Sequence, residues 1–338
     1  MAFIDPTLTR DLGRKKNGGR SGFTDSAATP SRPRISPGRR KALRRKFWRE
    51  TGVAYLYLAP ALLVLGVFSF WPVIKSLELS LFKWDMISPV KTFVGLKNYS
   101  DLLLKDEDFW LGIKNTVYYV VGTVPLGIVV SLGLALLLNA KIHLRSFFRV
   151  TYFLPHVTSV VAISMVWRWI FHSEYGLLNY MLEWFHVRSL PWLTEPSLAM
   201  PAVIIMSVWR HLGYNIIIFL AGLQSIDREY YEAAKVDGAS SWQMFRYITW
   251  PLLSPTTFFI TIISTIGAFK VFQEIYVLFN TGSGPLRSAY TIVFFIYDKA
   301  FRDWEMGYAS AGAWLLFLLI FALTLIQFRA SRNRVHYS

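Results

Sequence analysis

Residues 115–140 read NTVYYVVGTVPLGIVVSLGLALLLNA, 26 positions without a single Asp, Glu, Lys or Arg. A helix needs about 20 mostly apolar residues to cross a hydrocarbon core, whereas apolar runs of about 10–14 belong to buried helices of soluble domains. Four further stretches are equally free of those charges: 51–74, 150–167, 247–269 and 306–328. A sixth, 196–226, is interrupted only by Arg210. Six such runs predict an all-α membrane protein with spans near 53–73, 115–138, 150–171, 200–222, 254–279 and 307–328.

The rest of the composition agrees. A hydrophobic fraction of 54%, with 17% aromatic residues, is too high for a disordered chain and unusual for a soluble one. The formal charge of +15 is concentrated at one end, because the first fifty residues hold 14 basic and 4 acidic side chains. Residues 1–46 are rich in Gly, Ser, Pro and Arg and read as a disordered basic tail ahead of a transmembrane domain over 47–338. Next to the spans that follow, this tail reads as a cytoplasmic anchor facing anionic lipid rather than a nucleic-acid binder. The first apolar run starts some fifty residues in and is too long for a signal peptide, so no cleavage is expected. With no cysteine there is no disulfide, thiolate metal site or thiol nucleophile. No metal-binding cluster is read from the other residues.

Orientation follows from Lys and Arg near the ends of the spans. Arg39, Arg40, Lys41, Arg44, Arg45, Lys46 and Arg49 precede the first span, Lys141, Arg145 and Arg149 follow the second, and Arg329, Arg332 and Arg334 follow the last. With six crossings these segments share one side, so both termini are expected in the cytoplasm of a multi-pass cytoplasmic (inner) membrane protein. The opposite loop, 75–111, balances five Lys against six acids. The apolar segment 291–297 is too short to span and is expected as an interfacial or outward-facing element. Trp71, Trp110, Trp167 and Trp304 read as belt residues. The small residues Gly307, Ala309, Ala311 and Ala313 suit close helix packing in the last span.

The segment between the fourth and fifth spans carries a motif. It runs from Asp227 through Glu232-Ala233-Ala234, Asp237-Gly238, Ser240 and Gln243 to Ile248 and Trp250-Pro251. Asp227 can cap a first helix and Gly238 can end it in a left-handed conformation. Ser240 followed by Gln243 forms a capping-box pattern for a second short helix, and Pro251 separates that helix from the next span. The alanines give the first helix a flat face for close packing, so the pair suits insertion into a partner's groove.

These residues resemble the EAA loop of ABC importer permeases: Glu-Ala-Ala, three residues, Gly, nine residues, Ile, one residue and a dipeptide ending in Pro. Trp250 stands where the pattern usually has Leu. The resemblance is to the carbohydrate-uptake permeases of the maltose and glycerol-3-phosphate type (type I importer permeases) and covers about 50–338. It includes Leu223-Gln224-Ser225-Ile226 before the loop and Gly284-Pro285 after the fifth span. It implies that the loop docks into a cleft of a cytoplasmic ATPase subunit, with Glu232 and Asp237 making polar contacts, Ala233 and Ala234 packing, Gly238 allowing the turn and Pro251 at the membrane end. It also implies a second six-helix permease subunit, an extracytoplasmic solute-binding protein, a sugar or oligosaccharide as substrate and ATP bound only by the partner ATPase. The chain itself has no Gly-Lys dipeptide and hence no phosphate loop, and it lacks HExxH and GxSxG. It is therefore expected to need no cofactor of its own and not to be an enzyme.

Ionisable residues inside a span are expensive and mark candidate pathways. Lys270 and Glu274 in the fifth span are four apart, which on a continuous helix puts them on one face as a self-compensating pair. Such compensation favours a neutral sugar or polyol over glycerol-3-phosphate or another anion. The resemblance places Phe269, Lys270 and Gln273 on the wall of the sugar cavity, and Tyr214, with Asn215 beside it, at the family's sugar-contacting position upstream of the loop. Arg210 and His211 read as a gate or as the outer boundary of the fourth span. A stand-alone secondary transporter would call for inverted repeats, and none is evident.

Overall fold

The computed structural model describes residues 37–87, 90–140 and 145–331. Residues 1–36 of the expected tail, Lys141 and the C-terminal Arg332 and Arg334 lie outside that set. The chain divides into two compact units, the first ending at Gly66 and the second starting at Val67.

In the first unit, helix α1 (Pro37–Leu65) begins inside the segment expected to be a disordered tail. A π-helical turn, Gly66–Phe70, leads into α2 (Trp71–Ser80) of the second unit, and the run Lys46–Ser80 is long and apolar enough to cross a membrane. In the second unit a two-residue hairpin, β1 (Phe82–Lys83) and β2 (Thr92–Phe93), and α3 (Lys97–Leu104) follow α2. Asn98 fixes this turn by donating to the carbonyls of Ser80 and Phe82 at 2.8 and 3.0 Å.

The centre of the fold is the pairing of α4 (Glu107–Asn139) with α8 (Pro196–Gln224). Asp106 caps α4 by accepting from the Phe109 amide at 2.9 Å, and Glu107 and Asp108 place negative charge at its positive end. Between them in sequence lie α5 (Arg145–Val157), α6 (Val160–Ile170) and α7 (Leu177–Trp184). The predicted third span, 150–171, is therefore two helices, bent by 101°. Pro155 lacks the amide that would hold the Thr151 carbonyl, and Ser159 is extended, so the chain turns where hydropathy alone shows continuity.

Among the described residues, four single helices and two bent pairs have the length and composition of a span, which accommodates the six crossings expected if each pair is one span. After α9 (Arg228–Val236), the second bent pair joins Ser241–Leu252, made of α10 (Ser241–Met244), a π-helical turn Phe245–Thr249 and α11 (Trp250–Leu252), to the fifth span, with a 62° bend before Ser254. That span is also not the continuous helix 254–279. It consists of α12 (Ser254–Ala268), an unwound stretch and α13 (Gln273–Leu278). Irregular backbone at membrane depth survives only where protein or a cavity satisfies it. Here the Thr291 hydroxyl donates to the freed Val271 carbonyl at 3.1 Å.

The 3-10 turn Pro285–Arg287 and α14 (Ile292–Tyr297) follow. The segment 291–297, expected as an interfacial or outward-facing element, is this short helix, with Ile292, Phe294 and Phe295 fully buried and α14 packed against α4. A π-helical turn, Asp298–Arg302, leads to α15 (Met306–Ser331). Gly307 sits where a Cβ would lie 2.0 Å from the Phe82 carbonyl oxygen, so only glycine lets α15 approach β1 this closely.

The core is not one mass. One apolar block holds Phe109, Met206, Phe269, Ile275, Phe294 and Phe295. A second holds Leu132, Phe219, Leu220, Leu223, Leu253 and Ile260. Helices α4, α8 and α12 contribute to both blocks, and the half-buried Ile128 and Leu212 pack against each.

Candidate functional site

Two regions combine chemistry with geometry. The first is the helical hairpin α9–α10. The Asp227 carboxylate accepts from the Glu229 amide at 3.2 Å, which starts α9. The helix ends at Gly238, whose φ of +77° is cheap only for glycine. The amides of Gly238 and Ala239 then bond the Lys235 and Ala234 carbonyls at 3.1 and 2.9 Å, a Schellman termination. Ser240 and Gln243 complete a reciprocal capping box at 2.7 and 3.3 Å. Every local signal in the sequence is used.

No residue of α9 is buried. Glu232, Ala233, Asp237 and Gly238 are exposed, while Ala234 and Pro251 are half-buried. Ala233 lines a groove of ≈ 450 Å³ together with Tyr230, Glu229 and Leu252. A methyl group there leaves room for an approaching backbone. The hairpin is tied to the span behind it by the Tyr231 hydroxyl, 2.9 Å from the hydroxyl of the buried Thr249.

The second region is a cavity of ≈ 410 Å³ half-way along α4 and α8, at the junction of the two apolar blocks. Tyr119 and Gly127 of α4, His156 of α5, Tyr214 of α8, and Lys270 and Glu274 flanking the unwound stretch all face it. The size lies within the range of small-molecule sites, about 300–1,000 Å³. The rings of His156 and Tyr214 stack at 4.9 Å with an interplanar angle of 20°. The His156 Nδ1 is buried with no hydrogen-bond partner among the described residues. Nδ1 of His211 lies 2.8 Å from the Ser207 carbonyl oxygen, so it carries the proton and leaves Nε2 to accept from Arg210 at 3.5 Å.

One ion pair lies at this site. Arg210 Nη1 is 2.9 Å from Glu274 Oε1, with side chains only 14% and 11% exposed. It joins α8 to α13 across the cavity. The wall is brought together by Gly213, where a Cβ would sit 2.0 Å from the Tyr152 carbonyl oxygen, so α5 crosses α8 almost backbone to backbone.

Comparison with known proteins decides the class. Residues 124–336 match the family model described as the binding-protein-dependent transport system inner membrane component. The chain belongs to this family. It is a multi-pass inner-membrane permease subunit of the ABC-importer class. The lactose transport system permease LacF of Rhizobium radiobacter is 38% identical over 83% of this chain and 94% of its own. The sn-glycerol-3-phosphate permease UgpA of Agrobacterium fabrum is 34% identical over 84% and 96%. The arabinooligosaccharide permease AraP of Halalkalibacterium halodurans is 37% identical over 81% and 86%. A solved bacterial ABC transporter involved in alginate import superposes with a TM-score of 0.74 at 25% identity, covering 86% of this chain and 99% of that one. The architecture is that of a type I importer permease.

The permease places Tyr214, Lys270 and Glu274 around the cavity, with Asn215 beside them. Phe269 is instead in the apolar core, 3% exposed, and Gln273 is exposed and outside the cavity lining. The expected Lys270–Glu274 pair is absent. The i, i+4 argument needs an unbroken helix, and the chain unwinds between the two residues. Glu274 turns to Arg210 instead, so Arg210, expected as a gate or outer-boundary residue, ties α8 to α13 beside the cavity. His156 and Tyr119 were missed. Neither spacing nor charge marks them, because a bent helix and a helix partner bring them in from distant positions.

Proposed function

We propose that this permease is one membrane-spanning half of an ATP-driven importer for a saccharide or a closely related polyol derivative. It works with a second six-helix permease, a pair of ATPase subunits and an extracytoplasmic solute-binding protein. The relatives whose names specify a carbohydrate or glycerol phosphate support that substrate range, and the family description supports the binding protein. Both termini and the hairpin α9–α10 face the cytoplasm on this reading. Hydrolysis belongs to the partner ATPase, and the chain binds no nucleotide, metal or nucleic acid itself.

The observation that carries the reading is the hairpin: a fully capped helix with no buried residue, presenting Glu232, Ala233, Asp237 and Gly238 outward beside an open groove, with Ala234 half-buried. ATP-driven closure of the motor moves α9, the Tyr231–Thr249 contact passes the movement to α11 and α12, and the cavity wall follows. Such a change favours the outward-facing state only by the difference in contact free energy between the two states. Glu232→Lys and Gly238→Pro test it. Each is expected to abolish ATP-dependent uptake in membranes while the protein still inserts, and co-purification of the ATPase should weaken. Full coupling in both variants rejects the docking role.

A further inference from the structure

The charges around the central cavity do not cancel. Glu274 is the only carboxylate lining it among the described residues, and that group is engaged with Arg210 at 2.9 Å. The Lys270 ammonium makes no ion pair and no hydrogen bond among the described residues, although it faces the same space. The two histidines are held by neutral contacts, His211 by the Ser207 carbonyl and His156 by the Tyr214 ring. The cavity therefore keeps one uncompensated positive charge beside the midpoints of α4 and α8. Lys270 lies in the unwound stretch between α12 and α13, and its side chain is exposed along this wall rather than packed in a helix. A neutral solute would leave its charge without a counter-charge.

We propose that the solute carried here bears an anionic group, a carboxylate or a phosphate, and that Lys270 meets it as it enters the cavity. The inference rests on the importer reading and narrows its substrate class. An ammonium is a compact point charge that suits either anion, at charge-assisted hydrogen-bond distance. The rest of the wall provides for a polyhydroxylated body. The stacked His156–Tyr214 pair, both residues lining the cavity, forms a flat flank for the CH face of a sugar ring. Arg210 does not compete for the anion, because Glu274 occupies it. Lys270 thus acts as a specificity-determining residue, and Glu274 is a positioning residue that keeps Arg210 in place.

The test uses the full complex with its ATPase and cognate binding protein, reconstituted in proteoliposomes. ATP-dependent uptake of radiolabelled digalacturonate, glycerol-3-phosphate and lactose is compared. Uptake of either anion, with lactose excluded, is expected, and which anion is taken separates carboxylate from phosphate recognition. Lys270→Gln should lower the maximal uptake rate about tenfold or more, the loss of one charge-assisted contact. The half-saturating concentration, set by the binding protein, should stay close to wild type. Lys270→Arg should keep most of the rate. Uptake of lactose alone, or full anion uptake by Lys270→Gln, overturns the charge assignment and leaves the importer reading intact. The second result would mean that a carboxylate of the partner permease neutralises Lys270. A complex that assembles no ATPase and drives no uptake of any of the three overturns the importer reading itself.

Discussion

Removing the carboxylate of Glu274 leaves the Arg210 guanidinium without its counter-charge in a site where both side chains are almost fully covered. Breaking such a pair from one side typically costs about 3–5 kcal/mol, because an uncompensated charge remains buried. Glu274→Gln is therefore expected to lower the melting temperature of the purified permease complex markedly. The exchange Arg210→Glu with Glu274→Arg should recover part of the loss, since it restores the charge balance if not the hydrogen-bond geometry. Failure of the exchange to improve on the single variant would show that the pair is not what holds α13 to α8. Gly213 makes a separate prediction at this scale. Any side chain there collides with the backbone of α5 at Tyr152, so Gly213→Val should separate the two helices and reduce the folded yield, measured by detergent size-exclusion profile. A normal profile for that variant would contradict the close crossing.

Among the elements, the hairpin α9–α10 is the most self-contained. Its start, turn and second start were legible in Asp227, Gly238 and the Ser240–Gln243 pair, because capping depends on side chains within three residues of the backbone they serve. Ser240→Ala should cost about 1 kcal/mol of hairpin stability, and Gly238→Ala about 1–2 kcal/mol for its left-handed φ. Hydrogen exchange should show both as faster protection loss confined to 228–249, with the spans unaffected. Uniform loss across α8 and α12 would mean the hairpin is not an independent unit. The interruption of the fifth span was not legible for the opposite reason. Residues 254–279 carry no charge but for Lys270 and Glu274, and contain no proline after Pro255. What unwinds 269–272 is tertiary: the Thr291 hydroxyl takes the Val271 carbonyl and Arg210 takes Glu274. Partners twenty and sixty-four positions away leave no mark on a local pattern. The bend at 158–159 had a local warning in Pro155, but hydropathy outweighed it.

Across the whole molecule, the proposed orientation is open to direct measurement because the chain has no cysteine to mask a single introduced label. Leu104 and Val236 are 80% and 88% exposed, at the ends of α3 and α9, in connections that six crossings put on opposite sides. In spheroplasts, a membrane-impermeant maleimide should label Leu104→Cys at once and Val236→Cys only after lysis. Labelling of both before lysis would refute six crossings with an internal hairpin. The number of spans was readable from charge-free length. Their mutual arrangement was not, since the helices that enclose the cavity meet through glycines and polar side chains that hydropathy treats as interruptions.

The division of the interior into two apolar blocks has a mechanical consequence. Each block is tightly interlocked, and Ile128 and Leu212 are the side chains that bear on both, so the layer between them is the compliant one. Phe245, from the π-helical turn behind the hairpin, is wedged against the block containing Leu253. On the proposed mechanism, a tug on the hairpin would reach that block through Phe245, and the layer carrying Ile128 and Leu212 would take up the displacement. A single methyl-sized wedge or clasp set into that layer would stall the cycle without loosening either half.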